Sequence, residues 1–178
     1  AYFAEEHTLD REKIAYPAVM KPDCGGRSLH TSILDSEREL ERALKDAPAI
    51  PFLIQAYIDP SKGYTTRIEI VGGRVESVMK RHVGDNAISS YHAGSVFEAY
   101  PECPTAVTCS ALRTLQLLHM DMGSLDIVET DSGAFFIIDV NGTTNFSEDN
   151  IAMFGYDPIR PIADYIISRY RNMTERRG

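Results

Sequence analysis

The sequence predicts an α+β fold, and three observations carry that prediction. Two stretches of strand-like sequence are each joined to a partner by a tight turn, at Gly72-Gly73 and at Thr130-Asp131-Ser132-Gly133. Two other stretches repeat apolar residues at helical spacing, Leu40, Ala43 and Leu44 in one and Val107, Leu112, Leu115 and Leu118 in the other. Hairpins interrupted by helices argue against a doubly wound parallel sheet. Consistently, the chain has neither Gly-x-Gly-x-x-Gly nor the P-loop pattern, so neither of those phosphate-binding devices applies.

Taken in order, Ala18-Val19-Met20 is a short apolar run that reads as a buried strand ending at Lys21-Pro22. The next residues, Asp23 to Ser28, read as a loop, because the adjacent Gly25 and Gly26 free the backbone. Leu29–Ile33 is expected to return as a strand. Asp35-Ser36-Glu37 opens a helix with Leu40, Ala43 and Leu44 inward, and Pro48 and Pro51 end it. Phe52–Ile58 is the next strand, stopping at Asp59-Pro60. Thr66–Val71 alternates, with Ile68 and Ile70 opposite Arg67 and Glu69, the period of a half-buried strand. Its hairpin partner is Val75–Lys80. Asp85–Ser95 reads as a loop, and Pro104–Met120 as a helix with Val107, Leu112, Leu115 and Leu118 inward. Ser124–Glu129 and Ala134–Val140 form the second hairpin, and Asn141–Asn150 is expected to be a loop. Asp157–Arg171 closes the chain as a helix, with Pro158 and Pro161 in its first turns and Ile162, Ile166 and Ile167 as its buried stripe.

Composition narrows the function. Of 178 residues, 43% are apolar and 25% charged, ordinary for a globular protein and unlike a disordered one. The net charge of −8 argues against a sequence-independent nucleic-acid binder, which needs a basic stripe. The basic tail Arg169, Arg171, Arg176 and Arg177 reads as a solvated helix end. The longest apolar runs are too short to span a bilayer, and the acidic start has no secretory pattern. That start also lacks a methionine, so a fragment of a longer protein is expected. Cys24, Cys103 and Cys109 show no metal-binding spacing and read as reduced thiols of a cytoplasmic protein.

The chemistry-bearing residues lie on strand ends and hairpins. Asp139 and Asn141 are two apart on one strand and share a face, and Asp126 lies on the partner strand. Two carboxylates and an amide oxygen form a hard-oxygen site suited to Mg²⁺ bridged to phosphates. Asp139 sits in the apolar run Phe135–Val140, where an acid is costly to bury without a cation. Lys21 ends a strand just before the Gly25-Gly26 loop, Lys80 and Arg81 end another, and Arg67 lies on that strand's hairpin partner. Point charges and guanidinium forks around a cleft, with glycine amides at close range, are what a triphosphate requires.

In order and spacing these segments resemble the ATP-grasp superfamily, from about Tyr16 to Tyr165. Tyr16-Pro17-Ala18-Val19-Met20-Lys21-Pro22 with Gly25-Gly26 resembles its lysine-containing strand and glycine loop. Phe52–Ile58 resembles its hinge, and Arg67 with Val71-Gly72-Gly73 its Asp-x-Arg strand. Gly123-Ser124-Leu125-Asp126 and Ile138-Asp139-Val140-Asn141 resemble its metal strands. The nearest similarity is to ribosomal-protein-modifying and glutathione-synthetase-like carboxylate–amine ligases. The resemblance implies two lobes with the nucleotide between them, here residues 1–58 and 59–178. It implies that Lys21 contacts the α- or β-phosphate, with Gly25 and Gly26 cradling phosphate. Gln55 and the backbone of Ala56, Tyr57 and Ile58 would hold adenine. Arg81, with Lys80, would face the γ-phosphate, and Arg67 would act on the transferred phosphoryl group or the carboxylate. Asp126, Asp139 and Asn141 would hold two Mg²⁺ ions, or Mn²⁺ in their place. The implied reaction is ATP-dependent joining of a small-molecule or peptide carboxylate to an amine through an acyl phosphate. A non-catalytic nucleotide-binding module and an ATP-grasp kinase are the alternatives. The resemblance also implies an additional N-terminal domain completing the substrate site; the partner expected of this chain is that domain or, in a homo-oligomer, a second copy of the chain. Thr65 replaces the motif's aspartate and Asp139 its glutamate, and the loop containing His92 departs from the family's pattern, so acceptor recognition does not carry over.

Overall fold

The computed structural model describes residues 2–4, 9–24, 29–83, 96–142 and 148–175, the side chains of 2–4 and 148–150 excepted. They divide into two compact units, one ending at Asp59 and the other starting at Pro60.

The first unit contains β1 (Tyr2–Ala4), β2 (Ala18–Pro22), β3 (Ser32–Leu34), α1 (Glu37–Asp46) and β4 (Phe52–Ala56). Its strands form one antiparallel sheet in the order β1-β4-β2-β3. Ala18 and Met20 point from β2 into a core shared with Leu34, Leu40, Phe52 and Ile54. At the start of α1, Ser36 takes an extended N-cap conformation, and the backbone N–H of Asp35 donates to Glu39 Oε2 at 2.7 Å. That reach-back fixes the chain entry so that Leu40, fully buried, meets the sheet. The returning strand is shorter and later than its sequence suggests, because His30 sits at a turn with φ 58.

The second unit contains β5 (Tyr64–Val71), β6 (Arg74–His82), β7 (Phe97–Ala99), α2 (Thr105–Leu117), β8 (Met122–Glu129), β9 (Phe135–Asn141), α3 (Glu148–Phe154) and α4 (Ile159–Glu175). Its sheet is antiparallel throughout, in the order β7-β6-β5-β8-β9. One face carries Ile68, Ile70, Leu125 and Ile127, packed with Val107, Ala111 and Leu115 of α2. The β5–β6 hairpin turns on Gly72, whose φ of +59 suits glycine. A side chain there would also lie 2.5 Å from the ring of Tyr165 on α4.

Several expectations need correction. β5 is buried on both faces rather than half-buried, so its arginine and glutamate face is interior too. Leu118 is 52% exposed, because α2 ends at Leu117 and His119 takes φ 54. The N–H groups of His119 and Met120 donate back to Gln116 O and Leu115 O, the bond pair of a helix-ending Schellman turn. Ala111 takes the inward place. The loop expected to run to Asn150 is helical from Glu148. Ile166 and Ile167 are not a buried stripe but 55% and 47% exposed, and α4 has no buried residue. Helical spacing makes an apolar stripe without guaranteeing a partner for it. The loop expected at Asp85–Ser95, His92 included, lies outside the described residues.

Candidate functional site

Strand alternation places the sites of the second unit. Residues 65, 67 and 69 of β5 point away from α2, and the ladder sets Arg67 opposite Asp126 and Thr65 opposite Arg81. The β8–β9 ladder then sets Asp126 opposite Asp139 and Ser124 opposite Asn141. A bulge follows Asp126, and the pairing resumes in a shifted register with Ile127 opposite Ile137. Gly123 makes the close pairing possible, since a side chain there would meet the backbone oxygen of Asn141 at 2.7 Å. Arg67, Arg81, Asp126, Asp139 and Asn141 therefore share one sheet face.

Arg67 is the hub. Its Nε donates to Glu69 Oε1 at 2.7 Å, and Nη1 to both oxygens of Asp126, at 3.1 and 3.3 Å. Its Nη2 donates to Ser124 Oγ at 2.6 Å. Burial works against the charge of Arg67, but Asp126 and Glu69 outweigh it and raise its pKa above the ordinary arginine range. Arg81 Nη2 lies 3.2 Å from Asp126 Oδ1, with its guanidinium 5.7 Å from the ring centre of Phe97. Glu69, 2% exposed, has its pKa raised by burial, against the lowering effect of Arg67. Glu69 Oε2 is buried with no hydrogen-bond partner among the described residues.

Asp139 is exposed, because β9 is the edge strand, so the cost of burying it is not the reason for a cation there. Asn141 Nδ2 donates to Asp139 Oδ2 at 3.3 Å. The donor set nonetheless fits Mg²⁺. Asp126 and Asp139, directly opposed across the ladder, supply carboxylate oxygens, and the amide oxygen of Asn141 adds a third hard donor. Among the described residues no group of three or more His, Cys, Asp or Glu side chains is placed to hold a metal, so such a site must draw on Asn141 or on phosphate oxygens.

Not every expected residue is brought to this face. Lys80, next to Arg81, points to the α2 side. There it pairs with Glu102 at 3.1 Å and lies 4.4 Å from the ring centre of Tyr100 and 5.3 Å from that of Tyr64. Lys21, Gln55 and Ala56 lie on β2 and β4 of the first unit, with Tyr57 and Ile58 just after β4. The N–H of Tyr57 donates to Pro17 O at 3.0 Å. Gly25 and Gly26 lie outside the described residues. Glu69 and Ser124 were not singled out from sequence. The available signal was their spacing, two residues from Arg67 and Asp126, which puts each on its neighbour's face.

Comparison with known proteins follows the same lines. The description "RimK-like ATP-grasp domain" matches residues 2–157. The chain is 26% identical over 161 residues to β-citrylglutamate synthase B of Danio rerio, covering 89% of this chain and 39% of that protein. It is 26% identical over 166 residues to N-acetylaspartylglutamate synthase A of Homo sapiens, covering 92% and 42%. It superposes on the D-alanine–D-alanine ligase of Bacillus anthracis complexed with ATP with a TM-score of 0.70, at 18% identity, over 98% of this chain and 62% of that one. The chain thus spans about two-fifths of the length of the curated relatives it matches.

Proposed function

This chain belongs to the RimK-like ATP-grasp family, and on that premise we propose that it is the nucleotide- and metal-binding part of an ADP-forming carboxylate–amine ligase. The observation that carries the reading is the single sheet face on which Asp126, Asp139 and Asn141 stand beside two guanidinium groups. Asp126, Asp139 and Asn141 would hold Mg²⁺. The chemistry such an ion would supply is positive charge against the charge of the transferring phosphoryl group.

The residues divide the remaining work. Arg67, with its three nitrogens turned to Glu69, Asp126 and Ser124, holds Asp126 in place rather than reaching a ligand. Arg81 forms an ion pair with Asp126 through Nη2 and, from the same face, supplies positive charge to the γ-phosphate. Lys21, Gly25, Gly26 and Gln55–Ile58 take their phosphate and adenine roles from the family resemblance. In the reaction, a carboxylate oxygen forms a bond to the γ-phosphorus as the bond to ADP breaks. The amine nitrogen then bonds to the acyl carbon, phosphate leaves, and the amine loses a proton. Catalysis of this kind is largely positioning and charge stabilisation. The names of the relatives, two glutamate-containing amides and a dipeptide, support an amino acid as the amine. The three free cysteines support a reducing compartment; among the described residues no helix is long and apolar enough to cross a membrane.

The test is ADP release by the full-length protein on a panel of carboxylates and amino acids, with product mass. ADP release that requires both substrates, with an amide as product, supports the ligase. A stable phosphorylated product supports a kinase, and ATP binding without turnover supports a binding module.

A further inference from the structure

The buried carboxylate of Glu69 has no role in the family resemblance, yet it is the closest charged partner of Arg67. Arg67 and Arg81 both bind Asp126, at 3.1 and 3.2 Å on the same oxygen. Two guanidinium groups on one carboxylate make it a poor cation ligand, since they already satisfy its charge and repel a second cation. Glu69 changes that balance. Its Oε1 takes the Nε of Arg67 at 2.7 Å, shorter than either ion-pair contact to Asp126. The buried positive and negative groups are then matched, two against two.

Glu69 is not a packing residue by its chemistry. The side chain is 3% exposed, and one of its oxygens has no hydrogen-bond partner among the described residues. A methyl-bearing residue would fill that place without a desolvated charge. Its cross-strand partners on both ladders are polar, Ser124 and Ser77, with Arg67 on its own strand and Asp126 and Arg81 within electrostatic range. The Tyr156 phenol also feels its charge.

We propose that Glu69 is a positioning residue that draws Arg67 toward itself and so leaves Asp126 enough negative charge to bind the divalent cation. The proposal rests on the metal reading given above. It concerns charge, so its test separates charge from shape. Glu69→Gln keeps the shape and removes the charge; Glu69→Asp keeps the charge and shortens the chain.

Mn²⁺ is the probe, titrated into the chain in the presence of a nonhydrolysable ATP analogue and followed by electron paramagnetic resonance and calorimetry. Thermal unfolding of each variant is recorded alongside. Loss of a partner behind a metal ligand typically weakens affinity 10- to 100-fold, and the expected result is about 10-fold weaker Mn²⁺ binding in Glu69→Gln. Glu69→Asp is expected to stay nearer the wild type. The order is the decisive readout, because a packing role gives the reverse, with Gln tolerated and Asp not. The proposal is overturned by that reversal, by equal weakening in both variants, or by wild-type affinity in both. If one variant does not fold, the other decides alone: wild-type affinity in Glu69→Gln, or 10-fold loss in Glu69→Asp, overturns it. Failure of the underlying reading looks different, since the wild type itself then binds no Mn²⁺ with the nucleotide analogue.

Discussion

The two faces of the five-stranded sheet both bury a carboxylate among cations, and they do so to different ends. On the α2 side, Glu129 is 2% exposed and closed off. It accepts from Thr66 Oγ1, from Lys62 Nζ at 3.3 Å and from Tyr100 OH at 3.4 Å, while Tyr64 OH donates to Tyr100. Burial and this carboxylate together raise the Tyr100 pKa, and burial pushes the neighbouring Cys103 thiol up to about 11. On the other side, Asp126 and Glu69 are as well buried, but they grade into the exposed Asp139 and the half-buried Asn141. One network ends inside the protein and the other opens at an edge strand. A buried charge is therefore no sign of function by itself; the sign is a network that leaves oxygen donors facing outward.

The largest effect that tests this contrast is on turnover. Asp139→Ala should lower ADP release by the full-length protein at least about 100-fold, as expected for removal of a metal ligand. Because Asp139 is exposed, its thermal stability should change by less than about 0.5 kcal/mol. Glu129→Ala should do the opposite. It strips three partners from a buried network at a cost of about 3 kcal/mol, or a drop in Tm of roughly 6–12 °C for a chain of this size. Mn²⁺ affinity of the folded protein should hold. Calorimetric melting of both variants, with Mn²⁺ titration, checks the pair. Equal stability losses would erase the distinction between the faces.

How far this was legible in the sequence follows from the same geometry. The two hairpins, a shared face for Asp126 and Asp139, and the α2 core face apart from Leu118 were readable, because turn residues and alternation fix faces; the direct pairing of Asp126 with Asp139 was not, because it depends on the bulge after Asp126. Glu69 was passed over because alternation cannot say whether a polar face is wet or buried, and β5, central in the sheet, is buried on both. Lys80 was grouped with Arg81 by adjacency, although adjacent strand residues point oppositely. The exposure of α4 was not readable at all, since spacing names a stripe and not what covers it.

Adjacent residues on one strand give the next, smaller test. Lys80→Met removes a cation held by Glu102, Tyr64 and Tyr100 on the closed side. It should cost about 0.5–1 kcal/mol of stability and change the KM for ATP less than about 2-fold. Arg81→Met, one position on, should raise that KM about 10-fold or more, by loss of a charge-assisted contact worth roughly 1.5–3 kcal/mol. A large rise in KM with Lys80→Met would place phosphate binding on the α2 side and break the assignment of the two faces.

The smallest effect is in pH dependence, and it isolates the open face. Glu69 has a folded-state pKa above its ordinary value because burial disfavours its anion, a penalty that Arg67 only partly offsets. The folded protein thus holds this proton more tightly than the unfolded chain. Below the unfolded value, near 4.5, both states are protonated and the group is neutral to stability. As pH rises from there through the folded pKa, the unfolded state releases its proton first, so stability falls, then levels off. Glu69→Gln carries no such proton, so its stability relative to the wild type should climb across that window and then stay flat. Urea unfolding of both proteins at pH steps upward from 4.5 measures the difference. A relative stability that falls instead would mean Glu69 is stabilised as the anion, with Arg67 outweighing burial.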